Sequence, residues 1–202
     1  MPDVSHEIGD CEESAWGIEF RPLTREDFPV LYRWLHTRHV RAWWPREPPA
    51  TVADLEQKYG SRIDGTAAIK VFIFQIHGEP VGLTQLFRWA DRPSREFPVD
   101  IPAAATIDFL MGEAQHLGKG VGSAAFAAFV RHVLDFYPDI AVLVGFPHRD
   151  NRAFQHVLEK TGYRRLGEAG PALDVRYARN APYVGPNVLY VLPRPAAAVA
   201  AG

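Results

Sequence analysis

Between residues 104 and 137 the chain changes rhythm twice. Ala105, Ile107, Phe109 and Met111 alternate with Thr106, Asp108 and Leu110. Both faces of that stretch are largely apolar, which predicts a strand buried on two sides, and one face carries a carboxylate. The segment Gln115-His116-Leu117-Gly118-Lys119-Gly120-Val121-Gly122 breaks the alternation with three glycines at every second position. From Ser123 to about Tyr137 the apolar residues recur at helical spacing. The first N–H groups of that helix lack internal partners and carry the positive end of its dipole. Glycines at such a point let a phosphate sit directly on the backbone.

The rest of the pattern is an alternation of the same two periods. Ile18 to Leu23 reads as a strand, and Thr24 with Asp27 forms a capping box that opens a helix. Phe28, Leu31, Tyr32, Leu35 and His39 share its apolar stripe, with Pro29 in the first turn where it is tolerated. Thr51 to Tyr59 is a second helix, capped by Thr51, and Gly65 ends the helical region. Ile69 to Ile76 and Val81 to Trp89 form a hairpin across His77-Gly78-Glu79-Pro80. Ala90 to Ala104 is a polar, proline-rich loop holding Asp91, Glu96 and Asp100. After the central helix come a buried strand, Ile140 to Phe146, and a helix from Asn151 to Lys160 with Gly162 at its C-cap. Tyr163 to Leu166 and Asn187 to Leu192 are the closing strands, and an exposed last strand is expected to allow pairing across a two-fold axis. The order is βαα, hairpin, βα, βα, ββ: a single-domain α/β protein with a mixed central sheet flanked by helices. Residues 1–16 are expected to be a flexible arm, 17–193 the domain, and 194–202 a disordered tail.

Composition narrows the class. The 202 residues carry a net charge of −2, so no basic field points to nucleic acid. No apolar run approaches a membrane span, and the acidic N-terminus lacks the features of a secretory signal. A cytoplasmic location is the expectation. The single cysteine, Cys11, excludes an intramolecular disulfide framework, and eight scattered histidines show no metal-ligand spacing.

The glycine loop is neither a P-loop, since Lys119 lies between glycines with no Ser or Thr after it, nor a dinucleotide fingerprint. Its Gln115-x-x-Gly118-x-Gly120 spacing resembles the acetyl-CoA pyrophosphate loop of the GNAT N-acetyltransferase superfamily. A second stretch agrees: Asn151-Arg152-Ala153 followed by Glu159-Lys160-Thr161-Gly162-Tyr163. Further pieces resemble the aminoglycoside 6′-N-acetyltransferases within that superfamily. These are Tyr32-x-Trp34-Leu35, His39-Val40-x-x-Trp43-Trp44, Gly78-Glu79-Pro80-Val81-Gly82 and Ile107 to Leu110. Siderophore-pathway hydroxylysine acyltransferases share much of the pattern.

The resemblance implies a GNAT fold and direct acetyl transfer from acetyl-CoA to a primary amine of a small molecule in a ternary complex. It implies Asp108 as general base and as an anion that binds the acceptor. Acetyl transfer needs a neutral amine, and an apolar strand end would desolvate Asp108 and raise its pKa. Backbone N–H groups near Leu117, Gly118, Lys119, Gly120, Val121 and Gly122 are expected at the pyrophosphate, with Gln115 in the same loop. Backbone of Phe109, Leu110 and Met111 is expected to pair with the pantetheine arm like an added strand. Asn151 is expected to hydrogen-bond that arm, to cap its own helix, or both. Trp43, Trp44 and Asp100 are candidate acceptor contacts, with Trp89 a further aromatic wall. No metal is implied, and the protein is expected to be a monomer or homodimer.

Two positions depart from the family. Leu158 stands where a tyrosine often protonates the departing thiolate; His148, His156, Tyr163 or water are left for that role. Phe146 stands where the aminoglycoside enzymes commonly place an Asp before the proline, here Pro147, which removes one anion from the acceptor site. The alternatives are acylation of an N-hydroxylysine-type siderophore precursor, and an acyl-CoA-binding module with little turnover.

Overall fold

The computed structural model describes residues 16–44, 48–91, 103–168 and 187–195. Most of the expected N-terminal arm, Pro45, Asp100 and the loop with Tyr177 and Tyr183 lie outside them. β1 (Ile18–Pro22) leads through a single 3-10 turn into α1 (Phe28–Leu35). The capping box forms: the Thr24 N–H donates to the Asp27 carboxylate at 2.9 Å. Asp27 is buried and also takes the Arg21 guanidinium at 2.6 Å, so the turn is pinned to β1.

The expected helical stripe through His39 is broken. Thr37 is extended and its hydroxyl donates to the Trp34 carbonyl at 2.7 Å, which ends α1 and starts the one-turn α2 (Arg38–Arg41). Thr51 is not the cap it was expected to be: the helix starts at Asp54 with Ala53 as N-cap, and Thr51 heads the preceding turn, where its N–H donates to the Asp54 carboxylate at 2.8 Å. The helix itself, α3 (Asp54–Ile63), runs a turn further than its apolar spacing indicates.

β2 (Lys70–Ile76) and β3 (Glu79–Arg88) form the hairpin, followed by β4 (Ala104–Met111), α4 (Val121–Phe136), β5 (Val142–Gly145), α5 (Arg152–Lys160), β6 (Arg164–Glu168) and β7 (Val188–Pro193). The seven strands make one sheet in the order β1-β2-β3-β4-β5-β7-β6. Neighbours are antiparallel except β4 and β5, which are parallel. β7 lies between β5 and β6, so the last strand is not the exposed edge that the sequence led us to expect.

The sheet separates two cores. Ile107, Phe109, Phe74 and Phe126 pack with α4 and α5 on one face. Leu110, Leu83 and Ile73 pack with Leu31 and Trp34 of α1 and Leu55 and Tyr59 of α3 on the other. Gly112, just past β4, has no room for a side chain: a Cβ would stand 2.2 Å from the Trp34 ring. The expected tail begins with an anchor instead. The Arg194 guanidinium donates to the carbonyls of Leu134, Tyr137 and Ile140 at 2.6–2.8 Å, closing the C-terminal end of α4.

Candidate active site

Among the described residues β4 and β5 pair over three positions, Ala104 with Val142, Ala105 with Leu143 and Thr106 with Val144. The Thr106 hydroxyl closes the last rung by donating to the Val144 carbonyl at 2.7 Å. Beyond it β4 runs on to Met111, whereas β5 ends at Gly145. A one-sided strand edge is therefore left open. The Gly112 N–H bonds to the Val81 carbonyl of β3 at 2.9 Å. By the alternation of a ladder, the backbone groups of Leu110 and Asp108 also face β3, and those of Met111 and Phe109 face the gap. Leu110 is thus corrected as a cofactor contact: its backbone is used by β3 and its side chain is buried under α1 and α3. Of the backbone groups at the gap, the Met111 carbonyl is already held by the His39 imidazole, Nε2 to O 3.0 Å.

The glycine loop lies at the other end of the same edge. Gly118 and Gly120 adopt φ of +72° and +87°, the latter as N-cap of α4, and a Cβ on either would meet nothing within 4 Å. Their requirement is thus conformational, and the surface above them is open. Leu117, Gly118, Lys119 and Gly120 are exposed, as is Gln115; Val121 buries its side chain and offers only its backbone. Alternating positive φ ahead of a sixteen-residue helix aims successive N–H groups outward, the concave form that takes phosphate. Asn151 caps α5 by accepting the Phe154 N–H at 3.2 Å.

Asp108 projects from the face covered by α3. It retains some accessible surface while protein surrounds it, and burial pushes its pKa up to about 6 against the opposing pull of Arg62 and Lys58. Its carboxylate has no hydrogen bond or ion pair among the described residues; the Thr84 hydroxyl bonds its backbone carbonyl at 3.0 Å. Opposite it on β3 lies buried Gln85, whose side-chain oxygen accepts from the Arg62 guanidinium. Lys58 and Arg62 lie one helical turn apart on α3, at 5.3 and 5.1 Å from the centre of the buried Tyr59 ring. Burial lowers the Lys58 amine to about 8, helped by Arg62 and opposed by Asp108, although the residue as a whole is exposed. Burial also raises Tyr59 to about 12, with Arg62 acting against it.

The tryptophans divide. Trp44 packs on the core beneath α1 and α3 with its indole N–H buried beside the Tyr59 hydroxyl. Trp43 reaches across to His148, ring centres 6.0 Å apart, and so joins the segment after α2 to the segment after β5. Trp89 is core, packed with Ala104 and Val144, and is no wall of the site. Of the candidate proton donors, Tyr163 is sealed in the core, where burial raises its pKa, and His156 is exposed on α5. His148 stands beside the parted strands, its Nδ1 accepting the Asp150 N–H at 3.1 Å. Leu158 is buried at 1% exposure, against Gly145. Sequence reading missed Lys58, Arg62 and Gln85. The visible signal was the pair of cations at i and i+4, flanking Leu55 and Tyr59 on one helix.

Parted parallel strands, an open strand edge and a phosphate-type loop on one helix form a site for a long phosphorylated thioester beside a buried acid. A family model described as an acetyltransferase (GNAT) domain matches residues 24–170. The chain belongs to that GNAT acetyltransferase family and is an acyltransferase. It is 27% identical over 176 residues to the aminoglycoside N(6′)-acetyltransferases type 1 of Klebsiella pneumoniae and Serratia marcescens, covering 81% of this protein and 84% of each relative. Among solved structures it resembles the aminoglycoside acetyltransferase AAC(6′)-Ib with coenzyme A, at a TM-score of 0.72 and 27% identity over 88% of this protein and 95% of that one. The same enzyme with paromomycin and acetyl-CoA superposes equally well, TM-score 0.72, over 88% and 93%. No helix among the described residues is long and apolar enough to cross a membrane, and none of their His, Cys, Asp and Glu side chains cluster as a metal site.

Proposed function

We propose that the protein acetylates the 6′-amine of aminoglycosides by direct transfer from acetyl-CoA. The observation that carries the reading is Asp108: a desolvated carboxylate without an ion-pair partner among the described residues, two residues beyond the point where β4 and β5 part. Acetyl-CoA supplies the activated acetyl group as a thioester. The open loop at Gly118 and Gly120 and the free edge of β4 fit its pyrophosphate and its amide-bearing arm.

Asp108 takes a proton from the acceptor ammonium, whose nitrogen then attacks the thioester carbonyl carbon. The N–C bond forms, the nitrogen gives its second proton to water, the C–S bond breaks, and the thiolate leaves and takes a proton from water or from His148. Of the backbone N–H groups that face the gap, that of Phe109 serves the oxyanion. The proximity of Lys58 and Arg62 favours the neutral form of the arriving amine, which helps Asp108. The named relatives are aminoglycoside enzymes, which favours this acceptor class over hydroxylated siderophore precursors.

The test is thiol release from acetyl-CoA by the purified protein with kanamycin, tobramycin, N-hydroxylysine and N-hydroxyornithine. Turnover of the aminoglycosides, with the product acetylated at the 6′ nitrogen by NMR, is expected. Turnover of the hydroxylated amino acids alone would sink the proposal.

A further inference from the structure

Among the described residues, the charges that act on Asp108 are positive. Lys58 and Arg62 both act on Asp108 electrostatically, and no second described carboxylate does. Arg62 is tied to Gln85, the cross-strand partner of Asp108, so its charge is held in place through β3. Lys58 differs. Among the described residues it makes no hydrogen bond or ion pair, and its ammonium rests over the Tyr59 ring with Arg62 and Asp108 as its charged neighbours. A lysine on an exposed helix face ordinarily swings into water and influences little. Here the contact with the Tyr59 ring keeps the charge near the reacting position.

We propose that Lys58 is a charge filter on the acceptor: it repels a second ammonium adjacent to the amine that Asp108 deprotonates, and so selects acceptors that carry a neutral group there. The proposal rests on the reading of Asp108 as the acceptor-facing base. The same positive charge that helps neutralise the reacting amine opposes any further cation close by. A unit charge about 8 Å from Lys58, at an effective dielectric of roughly 20–40, is disfavoured roughly five- to thirtyfold.

Kanamycin A and kanamycin B form a matched pair. They differ on the ring bearing the 6′-amine, where the first has a hydroxyl at the 2′ carbon and the second an amine. The experiment measures kcat/KM for both with the full-length protein, with Lys58→Gln and with Lys58→Arg. For the unmodified protein, the value with kanamycin A is expected to exceed that with kanamycin B by about five- to thirtyfold. Lys58→Gln is expected to bring the ratio near one, and Lys58→Arg to keep it. A ratio near one in the unmodified protein, or a ratio that Lys58→Gln leaves in place, overturns the filter. If the unmodified protein turns over neither compound, the aminoglycoside reading fails separately, and calorimetric binding to the coenzyme A-loaded protein decides the filter. Binding of kanamycin B gained or strengthened specifically in Lys58→Gln supports it. Equal affinities in both proteins, or binding in neither, reject it.

Discussion

Replacing Asp108 with Asn should make the protein more stable and nearly inactive at once. The carboxylate's pKa is displaced from 3.8 to about 6, mainly by burial. A displacement of about two is worth about 3 kcal/mol between the two protonation states. Because the folded-state pKa is raised, the native state binds the proton more tightly than the unfolded chain does. Stability from this group is full below about pH 4 and is lost as pH climbs through about 6, so at neutral pH the fold bears the whole cost. The residue keeps some accessible surface, which reduces the expected cost to about 1–2 kcal/mol. Asn has the same shape without the charge. Calorimetry at pH 7 should show Tm rising by a few degrees in Asp108→Asn, with the difference vanishing near pH 4.

The rate should move the other way. A general base is usually worth about 10²- to 10⁴-fold. A thiol-capture assay between pH 5 and 8 should show kcat/KM of the unmodified protein rising through about pH 6, as Asp108 ionises. Asp108→Asn should lose that limb and fall by at least about a hundredfold, with acetyl-CoA affinity within about twofold of the original. A variant that keeps its rate, or one whose Tm falls at pH 7, would refute the assignment of a desolvated catalytic base.

Gly120→Ala places a side chain at φ +87°, which costs about 1–2 kcal/mol of backbone strain although nothing blocks the Cβ; KM for acetyl-CoA should rise about tenfold and Tm should fall by a few degrees. Leu158→Tyr, the substitution that restores the family residue, should lower stability by about 1–3 kcal/mol because the position is sealed against Gly145, and kcat should not increase. Arg194→Ala removes two hydrogen bonds to the end of α4 and one to Ile140 beyond it, and should cost about 2 kcal/mol in urea unfolding, leaving the KM values unchanged.

The sheet and its loop were legible because their signals are local. Alternation over Ala105 to Met111 marks β4, and the glycines from Gly118 to Gly122 can hardly be anything but a turn into α4. What escaped depends on tertiary neighbours. Nothing local in α1 shows that the Thr37 hydroxyl will end it by bonding back to Trp34. Trp89 is core only because Ala104 and Val144 arrive from far along the sequence. The place of β7 inside the sheet is set by β5 and β6, which the order of elements leaves open. Asp108 was readable as a buried acid, yet its balance of charge was not. Lys58 and Arg62 are some fifty residues upstream and reach it only because α3 lies across the same face.

The short pairing of β4 with β5 also has a mechanical meaning. It is the seam that joins the antiparallel half-sheet β1–β4 to the half-sheet β5–β7, and among the described residues three strand pairs stitch it. A donor molecule laid along the open edge of β4 would lengthen that seam, binding the two halves where the backbone does not. Ligand occupancy and cohesion of the molecule are then one quantity: amides along the seam should exchange faster than those of β2 and β3 in the empty protein, and slow most when the donor is bound.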